Sequence, residues 1–201
     1  MRDKREPYDF SIGILRSFEV LEQDLPPLKR YTIVDSAGVG KARSNFTSII
    51  TVGLGESLPL FVLRVVKERF EDGDLLAHAI AEAISVSEWS YLEDAAGLRL
   101  IEPQIVRALG DLGAPSQIQK RSFFSVGNRK DAKRQRILDA QEAAEKLGII
   151  RFVIGECEAL LEEALSIDGP GATDDAWDSL GQALIQLDVA RLHRAAQQGR
   201  D

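Results

Sequence analysis

Apolar residues recur along most of this chain at threes and fours, the spacing of one face of a helix. Phe10, Ile14, Leu15, Phe18 and Leu21 predict a first helix, ended by Asp24 and by Pro26 and Pro27, whose rings force an extended exit. Ser57 is placed to cap a helix running to about Phe70, with Pro59 in its first turn and Leu58, Phe61, Val62, Val65 and Val66 inward. After Asp72 and Gly73, Asp74 caps a helix on Leu75, Leu76, Ala79, Ile80, Ala83 and Ile84, and the two make a helical hairpin. Ser87 heads a short helix carrying Trp89, Tyr91 and Leu92 as far as Ala96. Glu102 to Leu112 forms another, with Pro103 in its first turn. Asn128 opens a helix on Ile137, Ala140, Ala144 and Leu147 that Gly148 stops. Ile149 to Ile154 allows a strand, but from Phe152 and Val153 the helical pattern continues through Cys157, Leu160, Leu161, Ala164 and Leu165, and the preferred reading is one long helix with Gly155 inside it. Thr173 caps the last helix, where Asp174 and Asp175 suit the positive end of the dipole.

Two stretches break this rhythm. Tyr31 to Asp35 is rich in β-branched residues and reads as a strand, while Phe46 to Leu54 fits either a strand or a buried helix. The expected fold is therefore mainly α, an irregular multi-helix bundle with at most a small strand pair near residues 31–52. Residues 1–8 read as a mobile arm and 9–167 as a helical core domain containing a basic segment at 117–136. Residues 173–198 read as a C-terminal amphipathic helix packed on that core or on a partner. Trp177, Leu180, Leu184 and Leu187 alternate along that last helix, and so wide a stripe must be covered by the chain's own core, by a partner protein or by a second copy.

Charge sharpens the picture at one place. The 201 residues carry a net charge of −7, yet Gln117 to Arg136 holds seven basic residues against the single acid Asp131, leaving the remainder at −13. Lys120, Arg121, Arg129, Lys130, Lys133, Arg134 and Arg136 are the candidate contacts to a DNA or RNA backbone, with Phe123 and Phe124 available to stack on bases. Cations in the first turns of a helix oppose its dipole, a local cost that an external polyanion would offset. The competing reading pairs them with acids of the same protein, and Glu156, Glu158, Glu162 and Glu163 supply an acidic face for it.

Candidate chemistry beyond this is thin. Cys157 is the only cysteine, and the two histidines, His78 and His193, lie far apart, so thiol, triad and thiolate-metal sites are not expected. The pairs Glu162–Glu163 and Asp174–Asp175 diverge on their helices and read as solvent-facing. Ser36 to Lys41 resembles a phosphate-binding loop only in Gly38, Gly40 and Lys41. Asp35 stands where that loop needs its first glycine, and Ala42 where it needs the metal-binding hydroxyl. No catalytic residue, cofactor or metal is assigned. No apolar run approaches the ~20 residues of a membrane span and no signal-like segment begins the chain, so a reducing, cytoplasmic setting is expected. The expectation is a non-catalytic helical binding protein, a subunit of a larger assembly that touches nucleic-acid backbone through residues 120–136. The alternatives are a protein–protein adaptor or oligomerising protein, and a degenerate phosphate-loop enzyme.

Overall fold

The computed structural model describes residues 8–36, 46–125, 130–167 and 173–198. In chain order the elements are α1 (Ile12–Ser17), β1 (Glu19–Val20), β2 (Lys29–Asp35), β3 (Thr47–Leu54), β4 (Leu60–Glu68), α2 (Gly73–Ser85), β5 (Trp89–Glu93) and α3 (Ala96–Asp111). They continue with β6 (Arg121–Phe124), α4 (Lys130–Gln141), β7 (Ile150–Val153), α5 (Glu158–Ser166), α6 (Asp175–Gln186) and α7 (Val189–Gln198). The strands form one seven-stranded mixed sheet in the order β1-β7-β4-β3-β2-β5-β6. β2, β3 and β4 are an antiparallel meander, and β5 and β6 extend it in parallel beyond β2. On the opposite flank β7 and then β1 add in parallel beyond β4.

This sheet replaces the expected mainly-α bundle, and the reason lies in burial on both faces. One face carries α2 and α3 on Val34, Ile49 and Leu92. The other carries α4, α5 and α6 on Ile33, Ile50, Val62 and Phe152. A strand covered on both sides has no polar face and reads as a continuous apolar run, which mimics a buried helix. Leu60-Phe61-Val62 is such a run, so the helix expected from Ser57 to Phe70 is β4. Trp89 to Glu93 alternates exposed and buried positions and is β5, in place of the short helix expected after Ser87. The long helix expected from Phe152 to Leu165 is β7, a turn at Gly155 with φ of +81°, and α5.

Smaller differences follow from local chemistry. The helix expected over residues 10–21 shortens to α1 and yields to β1. α2 is capped by the Asp72 carboxylate, which accepts from the Asp74 amide, so the cap lies two residues before the expected Asp74. α3 starts at Ala96 rather than Glu102, so Pro103 lies inside it. Helix α4 runs into a π-helical turn over Glu142–Lys146 before Gly148 ends it with φ of +58°. Asp188, with φ of +48°, separates α6 from α7. Among the described residues no helix is long and apolar enough to cross a membrane.

Candidate active site

β2 and β5 are adjacent parallel strands, and Val34 pairs with Leu92, so the next residues, Asp35 and Glu93, stand side by side as the last residues of their strands at the carboxyl edge of the sheet. After β2 the chain turns back toward β3, and after β5 it crosses to β6 on the opposite side. Where connections diverge in this way, the carboxyl ends of the strands form the crevice in which open α/β sheets bind ligands. Asp35 and Glu93 alternate to the same face as Ile33 and Tyr91, the face that α4 and α6 cover.

Helix α6 brings a second acidic row to this crevice. Asp175, Asp178 and Gln182 stand three and four residues apart and so share one stripe of the helix. The Gln182 amide donates to Asp35 Oδ2 at 3.3 Å and to Asp178 Oδ2 at 3.5 Å, tying the row to the strand end. The first turn of α6 is anchored by Glu163 of α5, buried to 2% exposure, which accepts from the backbone N–H groups of Ala176 and Trp177 and pairs with Lys67 of β4. Thr173 assists this anchor through its hydroxyl, which meets Lys67 and Glu163, rather than capping the helix.

Helix α4 crosses α6 at very close range. A Cβ added at Gly181 would come within 2.5 Å of the Arg136 carbonyl oxygen, so only glycine fits there. That approach lays the cations of α4 along the acids of α6. Arg136 donates through Nε and Nη2 to the two oxygens of Asp178 at 2.6 and 2.9 Å. Lys133 Nζ meets Asp174 at 2.6 Å and Asp175 at 3.1 Å. Burial works against the Lys133 charge, but Asp174 and Asp175 outweigh it and hold its pKa above the ordinary lysine range.

Asp35 shows the opposite imbalance. Burial first, then a hydrogen bond with the Glu93 carboxyl and the charges of Glu93 and Asp178, push its pKa up to about 9. A hydrogen bond between two carboxyl groups requires a proton between them, so at neutral pH the pair carries one charge fewer than two free carboxylates would. Two buried oxygens beside them have no hydrogen-bond partner: Gln182 Oε1, and Oγ of Ser48, the residue paired with Asp35 across β2 and β3.

These atoms bear directly on whether a metal fits. Every donor here is a hard oxygen, the class that suits Mg²⁺ or Mn²⁺, and such ions are commonly held by one or two carboxylates with water and substrate completing the shell. Asp35, Glu93 and the two unpartnered oxygens meet that description. Among the described residues no three acidic, imidazole or thiolate groups converge as a formed metal cage. Asp175 and Asp178 are instead engaged by Lys133 and Arg136.

The residues singled out from the sequence are scattered rather than gathered. Lys120 is exposed, whereas Arg121 turns inward onto Glu102 at 2.5 Å. Phe123 lies under the Arg99 guanidinium at 3.5 Å, and Phe124 packs toward the opposite face of the sheet. Arg134 sits over the Tyr8 ring at 4.8 Å. Lys133 and Arg136 join the carboxylate cluster, where internal acids hold them. Arg129, the side chain of Lys130, the Asn128 cap and the loop residues Gly38, Gly40, Lys41 and Ala42 lie outside the described residues. Trp177 and Leu180 are fully buried in this chain's own core, with Leu184 and Leu187 packed against it.

From the sequence Asp35 is visible only as the misfit in a phosphate loop and Asp175 as a dipole partner in a solvent-facing pair, whereas Asp175 is buried; Glu93, Asp178 and Gln182 carry no assignment there. Their signal was a β-branched run ending in Asp35, a short aromatic-containing run ending in Glu93, and acids three apart at a helix start. The mixed sheet, the inward-turned cations and this cluster overturn the expectation of a non-catalytic helical binding protein. The all-helical adaptor falls with it.

No family model matches the chain, and no curated protein matches it. Among solved structures it is similar to the crystal structure of the yeast mitochondrial Holliday junction resolvase Ydc2, at 14% identity over 90% of this chain and 91% of that one, with a TM-score of 0.48.

Proposed function

We propose that this chain is a divalent-cation-dependent phosphodiesterase that cleaves nucleic acid. The observation that carries the reading is the Asp35–Glu93 pair, two carboxyls set side by side at the ends of adjacent parallel strands, whose burial and mutual repulsion a bound cation would relieve. A divalent cation bound there would stabilise charge on phosphoryl oxygens and make a bound water more acidic. Gln182 holds Asp35 and Asp178 in register. Lys133 and Arg136 neutralise the second acidic row, which lets an anionic substrate approach an otherwise repellent surface. Lys120, exposed just before the edge strand β6, is available to a polyanionic substrate.

The test is cleavage of labelled single strands, duplexes and four-way junctions of DNA, and of RNA, with Mg²⁺ or Mn²⁺ present. The four-way junction is included because the yeast protein is named for it. Cleavage that needs the cation, and that disappears in Asp35→Asn and Glu93→Gln while both variants stay folded, is the expected result. Full activity in both variants would sink the reading.

A further inference from the structure

We propose that the carboxylate cluster takes one divalent cation rather than two, on the Asp35–Glu93 side, because the Arg136 guanidinium fills the place of a second at Asp178. This rests on the phosphodiesterase reading and specifies its cofactor. Carboxylate sites that cleave phosphodiesters often hold two cations about 3.5–4 Å apart, one for the attacking and one for the leaving oxygen. Here both oxygens of Asp178 are taken by the fork of one arginine, at 2.6 and 2.9 Å, with side-chain exposures of only 10% for Arg136 and 4% for Asp178. Arg136 cannot retreat as its helix stands, since its carbonyl and Cβ already abut Gly181. A cation arriving at Asp178 would strand the guanidinium in the interior without a partner, the costliest outcome for a buried charge.

The cations point the same way. Lys133 and Arg136 engage Asp174, Asp175 and Asp178, whereas Asp35 and Glu93 form no ion pair among the described residues. Once their shared proton is displaced, Asp35 and Glu93 offer two carboxylates to one divalent ion. Independent of the acids, the Gln182 side chain, itself 2% exposed, reaches into the cluster with its oxygen unpartnered, and the fully buried Ser48 hydroxyl on the strand beside Asp35 is unpartnered too. These oxygens lie on the Asp35 side, where the ion is proposed.

Titration of the full chain with Mn²⁺, read by the electron paramagnetic resonance of free ion and by calorimetry, decides the matter without any activity. One ion per chain is expected, lost in Asp35→Asn, and two in Arg136→Met, which frees Asp178. Should Arg136→Met not fold, the double variant Arg136→Met with Asp178→Asn removes both charges together, a change interiors tolerate, and is expected to keep one ion. Two ions in the unaltered chain, or loss of the ion in the double variant, would overturn the single-cation proposal and leave the phosphodiesterase reading standing. No ion in the unaltered chain would remove both.

Discussion

Asp35 ties stability to pH in a direction opposite to that of an ordinary salt-bridged carboxylate. Its pKa is near 4 when unfolded and is pushed up to about 9 in the fold, so between these values the folded state holds a proton that the unfolded state has released. The contribution is present below about pH 4 and is lost as pH rises toward 9. Thermal denaturation of metal-free protein should therefore show a melting temperature falling across this window, with a flatter profile in Asp35→Asn. Saturating Mg²⁺ should lift the alkaline end, because the ion needs the carboxylate ionised. A metal-free profile that rises with pH would show that Asp35 is not protonated in the fold. In the sequence this residue could be read only against a glycine loop, where a carboxylate facing a phosphate is repulsive. What makes it sensible is a neighbour, Glu93, 58 positions along the chain, and no local pattern reports such a pairing.

At the scale of elements, α6 is held in place by two contacts that each invite a substitution. Gly181→Ala puts a methyl group against the Arg136 carbonyl and must force α4 and α6 apart. It should cost about 1–3 kcal/mol in denaturant unfolding and weaken any cation binding that depends on the α6 register. Glu163→Ala strips the anchor from the first turn of α6 and leaves Lys67 without its acid, at about 3–5 kcal/mol. A loss under about 0.5 kcal/mol for either, the range of an ordinary surface change, would contradict the packing described. The elements that a sequence discloses most readily are those with one wet face: α2 and α4 follow their apolar stripes closely. β4 and β7 read more readily as helix because Leu60-Phe61-Val62 and Phe152-Val153 are covered on both faces, and a doubly covered strand loses the period of two that marks it. Glu163 reads from the sequence as part of an acidic face for the basic segment and of a solvent-facing pair, whereas it is buried against Lys67, because its burial depends on α6 arriving from outside the local sequence.

For the whole molecule, a net charge of −7 and an acidic crevice oppose nucleic acid at long range. Binding to DNA or RNA should accordingly be weak in EDTA and should strengthen on adding Ca²⁺, which supplies charge while supporting little turnover in Mg²⁺-type sites. Equal affinity in both conditions, measured by fluorescence anisotropy at fixed ionic strength, would place the contact away from the carboxylates. Lys133→Glu is a poor probe of that contact, because Lys133 already holds Asp174 and Asp175, whereas the exposed Lys120 reports on substrate alone.

The sheet also divides the interior into two clusters, and only one of them touches the crevice. The layer of α2 and α3 can open while the opposite layer stays closed, exposing its own apolar contacts and none of the acids. Amide hydrogen exchange should therefore resolve two cooperative units. The amides of α2 and α3 would exchange through an opening that a bound cation leaves untouched, while those of α4 and α6 would be slowed by it. The central strands β2 and β3, which serve both layers, would exchange last of all.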